Sequence, residues 1–273
     1  MINMQSRIAV VFDSAGTLLH MYRVAKNTLT GEYIDDIVTT DLVGRHPFCG
    51  LVIFHTDPDR IIGCQSHNRI YEFIRENDIK IDLSCSSSPI TLDQVEKAIE
   101  LDSLTTMQDL HEVISIIRLK CPDIFYLGVG IILDTNSHTI VYTVCTGGRP
   151  FTNTSTTLNT LKEWGVDAYI ASGDSMRNLE NLARVVDIPV ERVYDVATPL
   201  KKEWVIKHLK KHYDKVVMVG DGINDILALR EADRGVLSIQ QMGTCSTRLS
   251  DEADVVITDI KQILRIIEEM KEQ

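Results

Sequence analysis

From Val166 to Met270 the chain repeats one pattern: a short apolar run, an amphipathic stretch, then another short apolar run. Val166–Ala171, Arg192–Asp195, Val216–Val219, Gly235–Ile239 and Asp254–Ile257 read as strands of four to six residues. Between them, Ser175–Val186 sets Met176, Leu179, Leu182, Ala183 and Val186 on one helical face. Thr198-Pro199 opens a second helix in the N-cap and first-turn arrangement, with Val205, Ile206 and Leu209 as its inner stripe. Asn224–Arg230 reads as a short helix and Ile260–Met270 as a closing amphipathic one. Strands that are mostly apolar, rather than alternating, read as buried on both faces. Spaced by helices, they predict an α/β fold with a parallel sheet between two helical layers.

Arg7–Phe12 is a strand of the same buried type, but the next 130 or so residues have a different character. Ile34–Val38 and Leu51–His55 read as strands, Arg69–Arg75 as a short helix, and Leu92–Leu101 and Thr106–Leu119 as longer ones. Phe125–Leu133 and Thr139–Cys145 flank Asp134–His138, the pattern of a β-hairpin, and Ser84–Pro89 is linker-like. The sheet therefore begins, is interrupted and resumes. The pattern predicts a core of residues 1–30 and 140–273, split by an inserted α+β region over residues 31–139. A length of 273 residues accommodates both.

Composition narrows the function. With 28 Lys and Arg against 39 Asp and Glu, the formal charge is −11, which repels phosphate backbones and anionic headgroups and argues against nucleic acid and membrane surfaces. No apolar stretch approaches the ~20 residues that span a bilayer, and the run Ile8–Phe12 leads into Asp13 without a signal-peptide cleavage site. The six cysteines are scattered, with no C-x-x-C pair, which predicts a reduced, cytoplasmic protein rather than a disulfide or zinc framework.

Three segments that each end a predicted parallel strand carry the chemistry, and ligands of open α/β sheets collect at those ends. In VVFDSAGTLL, Asp13 follows three buried residues and is aimed into a loop, where Gly16 permits a tight turn and the Thr17 hydroxyl can hold an oxygen or cap the loop. Taken alone, Asp13 serves equally as a turn cap. In ASGDS, the Ser172 hydroxyl, Gly173 and a helix start make an anion site, or an ordinary N-cap. In VMVGDGIND, two glycines bracket Asp221, and Asp225 follows four residues later, which suits a hard divalent cation. Lys201 and Lys202 stand at a helix start, opposing the helix dipole, so one of them is expected to meet an anion. A carboxylate that attacks a phosphate needs a divalent cation between them, a lysine, and N–H and O–H donors for the remaining oxygens. Asp13, Asp221, Lys202, Ser172 and the Gly173 amide supply that set.

These residues resemble the haloacid dehalogenase (HAD) superfamily, and within it the phosphorylation domain of P-type ATPases. Asp13 to Leu18 resembles the DKTGTL loop of the pumps, Ser172-Gly173-Asp174 their TGD, and Pro199 to Lys202 their P-x-x-K. VMVGDGINDILAL is similar to their VGDGINDAPAL segment, and Asp251–Ile257 and Arg149-Pro150 also have counterparts. The likeness covers roughly residues 7–19 and 145–270. It implies a HAD-like, Rossmann-like core with an inserted cap and a phosphohydrolase acting on a small phosphorylated substrate. Asp13 would be the phosphorylated nucleophile; Asp13, the Ala15 carbonyl and Asp221 would hold Mg²⁺, with Asp225 in support; Ser172, Gly173, Lys202 and Asn224 would bind the phosphoryl group; and Thr17 would order the loop.

Two departures limit the likeness. No stretch of this sequence reads as a transmembrane helix, so ion pumping is not the expected activity. The acid that most HAD phosphatases carry two residues after the nucleophile is Ala15 here, where P-type ATPases have threonine and phosphonoacetaldehyde hydrolases alanine. Losing a positioned acid or base costs roughly 10²–10⁴-fold in rate. The expectation is slow turnover, or a leaving group that needs no proton: an acyl phosphate, an aryl phosphate or a nucleoside polyphosphate. The alternatives are a weakly active phosphate-binding regulator, and a phosphonatase using one of Lys26, Lys80, Lys97 or Lys120 as a Schiff base. The insert carries no nucleotide motif beyond an isolated His46-Pro47; His55, His67, Arg60 and Arg69 are pocket candidates or plain surface residues. The stripes of Leu92–Leu119 predict packing on the core or on a partner subunit, which leaves a homo-oligomer open.

Overall fold

The computed structural model describes residues 6–121, 126–174 and 176–272. The chain divides into two compact units, Met1–Met21 with Arg149–Gln273, and Tyr22–Gly148. In chain order the strands are β1 Ile8–Phe12, β2 Leu19–Asn27, β3 Tyr33–Asp35, β4 Cys49–His55, β5 Lys80–Ser86, β6 Tyr126–Asp134, β7 Thr139–Pro150, β8 Asp167–Ala171, β9 Val193–Tyr194, β10 Lys215–Gly220, β11 Arg234–Ser238 and β12 Val255–Ile257.

The first unit is built on a six-stranded sheet ordered β12-β11-β10-β1-β8-β9, in which every described pairing is parallel. All five residues of β1 are buried, as a strand covered on both faces requires. On one face Ala9 and Val11 pack with Val216 and Met218 against Val205, Ile206 and Leu209 of the helix Pro199–Leu209. That helix has the expected start, with Pro199 in its first turn and the Thr198 hydroxyl accepting from the Lys201 amide. Register sets the functional edge. Phe12 is aligned with Val219 on one side and Ile170 on the other, so the segments after β1, β10 and β8 leave the sheet at one edge.

The second unit holds a six-stranded sheet ordered β3-β2-β7-β6-β4-β5, antiparallel at β2–β3, β4–β5, β4–β6 and β6–β7. The helices Leu92–Leu101 and Met107–Lys120 bury Val95, Ala98, Ile99, Leu110, Val113, Ile114 and Ile117 against Val52, Ile131 and Leu133 of this sheet. Their apolar stripes are thus consumed inside the unit. On the other face Leu42 and Val43 of the helix Thr39–Gly44 pack on Cys49, Ile132 and Tyr142.

The structure differs from the sequence expectation in several places. The units divide at 21/22 and 148/149, not at 30/31 and 139/140, because Tyr22–Asn27 and Thr139–Gly148 are strand residues of the second sheet. Ser84–Ser86, read as part of a linker, end β5, whose sequence KIDLSCS alternates exposed and half-buried positions. The Asn224–Arg230 helix is a 3₁₀ turn, Ile223–Asp225, followed by an α-helix, Ile226–Glu231. Phe125 and Ser175, placed at element starts from sequence, lie outside the described residues. Among the described residues no helix is long and apolar enough to cross a membrane.

Candidate active site

The backbone of Asp13 continues the β1–β10 ladder by one bond, its N–H donating to the Val219 carbonyl at 2.9 Å. The chain then turns sharply. The Ser14 carbonyl accepts the amides of Thr17 (3.4 Å), Leu18 (2.9 Å) and Leu19 (2.8 Å), tying the loop into a closed knot. Gly16 makes the turn at φ +70°, a conformation that disfavours side chains. The turn also brings its backbone against Asp221: a Cβ at Gly16 would lie 1.8 Å from Asp221 Oδ2.

Three carboxylates meet at this edge. Ligand oxygens of Asp13, Asp221 and Asp225 all lie within 4.8 Å of one another. Asp225 is nearly fully buried and is held by the amides of Asp221 and Gly222, both at 3.1 Å from its Oδ2. Its Oδ1 accepts from Lys202 Nζ at 2.7 Å, and the same ammonium donates to Asp13 Oδ1 at 2.8 Å. Lys202 is itself buried. It is the lysine of the pair that meets the acids of this cluster, while Lys201 bonds the Asp195 carbonyl and lies 3.5 Å from the Asp195 carboxylate.

The electrostatics reflect the excess of acids over bases. Burial, aided by repulsion from Asp225 and Asp221, pushes the Asp13 carboxyl up to about 8 although Lys202 opposes the shift. Burial disfavours the charged Lys202, but the carboxylates of Asp13 and Asp225 outweigh it and raise its pKa. Three acids facing one ammonium leave a surplus of negative charge. All the donors are hard oxygens, a set that fits Mg²⁺.

A second cluster lies beside the first. Ser172, buried at the end of β8, has its Oγ 2.6 Å from Ser14 Oγ and 3.2 Å from the Asp174 amide. Asp174 Oδ2 accepts from Ser14 at 3.1 Å and from Ser172 at 3.3 Å. Gly173 is exposed, with open space where a side chain would stand, and Asn224 is exposed on the 3₁₀ turn. Ala15 is half-buried. Thr17 is fully buried, and its hydroxyl has no hydrogen-bond partner among the described residues. The backbone of its loop is held instead by the Ser14 carbonyl and by Gln240, whose Nε2 donates to the Thr17 carbonyl at 2.5 Å. Sequence reasoning assigned no role to Ser14 or Gln240 and read Asp174 only as an alternative helix N-cap. Asp174 could have been found by its place in the TGD-like segment, whereas Gln240 has no local signal.

In the second unit, His55 pairs with Asp82 at 2.6 Å, Arg60 bonds Asn77, and Arg69 donates to the Glu100 carbonyl at 2.7 Å and to the Asp102 carbonyl. These contacts give the three residues structural work; His46 and His67 are exposed. Two of the four candidate Schiff-base lysines are committed to acids, Lys26 to Asp109 and Glu112, and Lys120 to Asp35.

Comparison with known proteins gives the family. The model of the haloacid dehalogenase-like hydrolases matches residues 9–233. The chain belongs to that family and is an enzyme of the hydrolase class. It is similar to the soluble P-type ATPase-like phosphatase of Methanocaldococcus jannaschii, at 31% identity over 260 residues, covering 95% of this chain and 93% of that one. It is also 31% identical over 202 residues to calcium-transporting ATPase 1 of Saccharomyces cerevisiae, of which the match covers only 19%. Among solved structures, a zinc-transporting PIB-type ATPase in its E2.Pi state overlaps 98% of this chain and 42% of its own, at 15% identity and a TM-score of 0.49.

Proposed function

We propose that the protein is a Mg²⁺-dependent phosphohydrolase that works through a phospho-aspartate on Asp13 and acts on a small phosphorylated substrate with a good leaving group. The observation that carries this reading is the meeting of Asp13, Asp221, Asp225 and Lys202 at one carboxyl edge of a parallel sheet. Asp13, Asp221 and the Ala15 carbonyl would hold the ion, with Asp225 behind them. When bound, Mg²⁺ supplies positive charge between carboxylate and phosphate, lowering a repulsion of about 4 kcal/mol for unit charges at ~4 Å and an effective dielectric of 20.

Lys202 grips one Asp13 oxygen and fixes the orientation of the carboxylate. An Asp13 oxygen attacks phosphorus, the O–P bond to aspartate forms and the bond to the leaving group breaks. Ser172, the Gly173 amide, Lys202 and Asn224 donate to the phosphoryl oxygens, where charge is spread in the transition state. Ala15 has no proton to give, so the leaving group departs as an anion or takes its proton from water. Water then attacks phosphorus, and Asp13 is regenerated as inorganic phosphate leaves. Residues of the second unit would select the substrate. The chain's scattered cysteines, with no C-x-x-C pair, support a cytoplasmic setting.

The test is hydrolysis of p-nitrophenyl phosphate with Mg²⁺ by the wild type and by Asp13→Asn. The variant should fall to background, and unchanged turnover would refute the reading. Ala15 supports a second reading, a phosphate-binding regulator. Beryllium fluoride binding with negligible turnover across a phosphate-ester panel would favour that one.

A further inference from the structure

The hydroxyl cluster beside the carboxylates contains more than a phosphate-binding serine. Ser14 stands where the DKTGTL loop has lysine, and it is completely buried. Its Oγ bridges Ser172 Oγ at 2.6 Å and Asp174 Oδ2 at 3.1 Å. Asp174, when ionised, only accepts hydrogen bonds, and each serine has one proton to give. Two protons must therefore serve two internal bonds and, when substrate is present, a phosphoryl oxygen as well.

The distances show how the protons can be shared. Ser172 is itself within 3.3 Å of Asp174 Oδ2, so a charged acceptor competes with substrate for its only proton. Ser14 is nearer to that oxygen, and its own proton can satisfy it. The Ser172 oxygen, meanwhile, accepts from the Asp174 amide at 3.2 Å, and its backbone is pinned by bonds to Tyr194 and Ala197. With the Ser14 proton given to Asp174, the 2.6 Å bond between the hydroxyls is made by the Ser172 proton, which then rests on a neutral oxygen rather than on the carboxylate.

Building on the role given to Ser172 above, we infer that Ser14 is a positioning residue: its hydroxyl donates to Asp174 and so keeps the Ser172 proton off that charged acceptor, on a neutral oxygen that a transferring phosphoryl group can displace. Ser14 touches no reacting atom. It acts on the direction of a neighbouring O–H bond, and the gain is realised where charge on the phosphoryl oxygens is greatest.

The experiment is a double-mutant cycle in steady-state hydrolysis of p-nitrophenyl phosphate with Mg²⁺, using Ser14→Ala, Asp174→Asn and the double variant, with melting temperatures recorded for each. Removing one transition-state donor costs up to roughly 10²–10³-fold, and Ser14→Ala, which only redirects one, should lower kcat by about 10-fold with KM within twofold. In the Asp174→Asn background the same change should cost less than twofold, because the amide can turn its NH₂ to Ser172 and no longer claims the proton. A purely structural role would give equal losses in both backgrounds, and that result overturns the inference. So does an unchanged kcat in Ser14→Ala. Ser14→Cys, which keeps a weaker donor in nearly the same volume, should fall between serine and alanine; if Ser14→Ala does not fold, this variant in both Asp174 backgrounds decides by the same criterion. Ser172→Ala separates the two levels. If it leaves kcat unchanged, the phosphate-binding role of Ser172 fails, whereas a slow Ser172→Ala with equal Ser14→Ala losses defeats the positioning role alone.

Discussion

Gly16→Ala tests how tightly the nucleophile loop is built against the carboxylate cluster. Gly16 lies at φ +70°, where an L-residue pays about 1–2 kcal/mol. Gly165, just after the helix Thr154–Glu163, has almost the same angle, +71°. The two differ in what a methyl group would meet. At Gly165 there is nothing within 4 Å, so Gly165→Ala should cost the backbone term alone, a fall in melting temperature of roughly 2–8 °C. At Gly16 the new Cβ would stand 1.8 Å from Asp221 Oδ2 and 2.5 Å from its Cγ, far inside contact distance. Either the loop or the Asp221 carboxylate must move by more than an ångström, and a misplacement of ~1 Å at a reacting centre costs about 10²-fold in rate. The assay pairs thermal unfolding with Mg²⁺-dependent hydrolysis of p-nitrophenyl phosphate. Both variants should be destabilised, but only Gly16→Ala should lose about 10²-fold or more in kcat. If Gly16→Ala keeps as much activity as Gly165→Ala, the apposition of loop and metal acid does not matter to the reaction.

Lys202→Met should lower the melting temperature by about 10 °C, the equivalent of roughly 3 kcal/mol, since breaking a buried charge pair strands its partners; an unchanged melting temperature would mean that Asp13 and Asp225 do not depend on it. Asp221→Asn should raise the Mg²⁺ concentration for half-maximal activity by at least about 10-fold, read by metal titration after chelator treatment, and an unchanged titration would remove Asp221 from the ligand set. In the second unit, burial opposes ionisation of Glu112, but bonds from Lys26, Tyr33 and Gln108 hold its carboxyl down at about 2 against an ordinary 4.5. A depressed carboxylate contributes stability above pH 4.5 and loses it as pH falls toward 2. Denaturant unfolding at pH 5 and pH 3 should therefore show a loss of roughly 1–2 kcal/mol that Glu112→Gln does not share.

The core was legible because its strands are mostly apolar without alternating, the pattern of a doubly covered parallel sheet. Its motifs were legible because each stands at a strand end, so register alone gathers them. Lys202 could be told from Lys201 by the P-x-x-K spacing, and its burial against two acids follows from the helix that Pro199 starts. The second unit was harder. Strand β2, LHMYRVAKN, places His20, Tyr22, Arg23, Lys26 and Asn27 at half-buried positions, so its pattern is neither continuous nor alternating. Lys26 is tolerated there only because Asp109 and Glu112 come from a helix some eighty residues away. The same reason hid Gln240 and Gln241. They fasten the backbone at Thr17 and Met21 through hydrogen bonds of their side-chain amides across more than 200 residues, which no local pattern encodes.

The alanine at position 15 draws these features together. Three carboxylates already face one ammonium at this edge. A fourth acid two residues after Asp13 would, whenever ionised, add another like charge to the space a phosphate must enter, each pair at ~4 Å costing about 4 kcal/mol at an effective dielectric of 20. Alanine avoids that cost and forgoes the proton that a poor leaving group needs. The two effects act on different steps. Entry of the phosphoryl group becomes easier, while its departure from an alkoxide and the activation of water lose their helper. On the proposed chemistry, such a site is suited to forming phospho-Asp13 from a substrate whose leaving group is already stable as an anion. Hydrolysis of that intermediate then becomes the slow step. On the same proposal the donors around Ser172 would bear on both steps, because they would contact the one group present throughout, the phosphoryl oxygens.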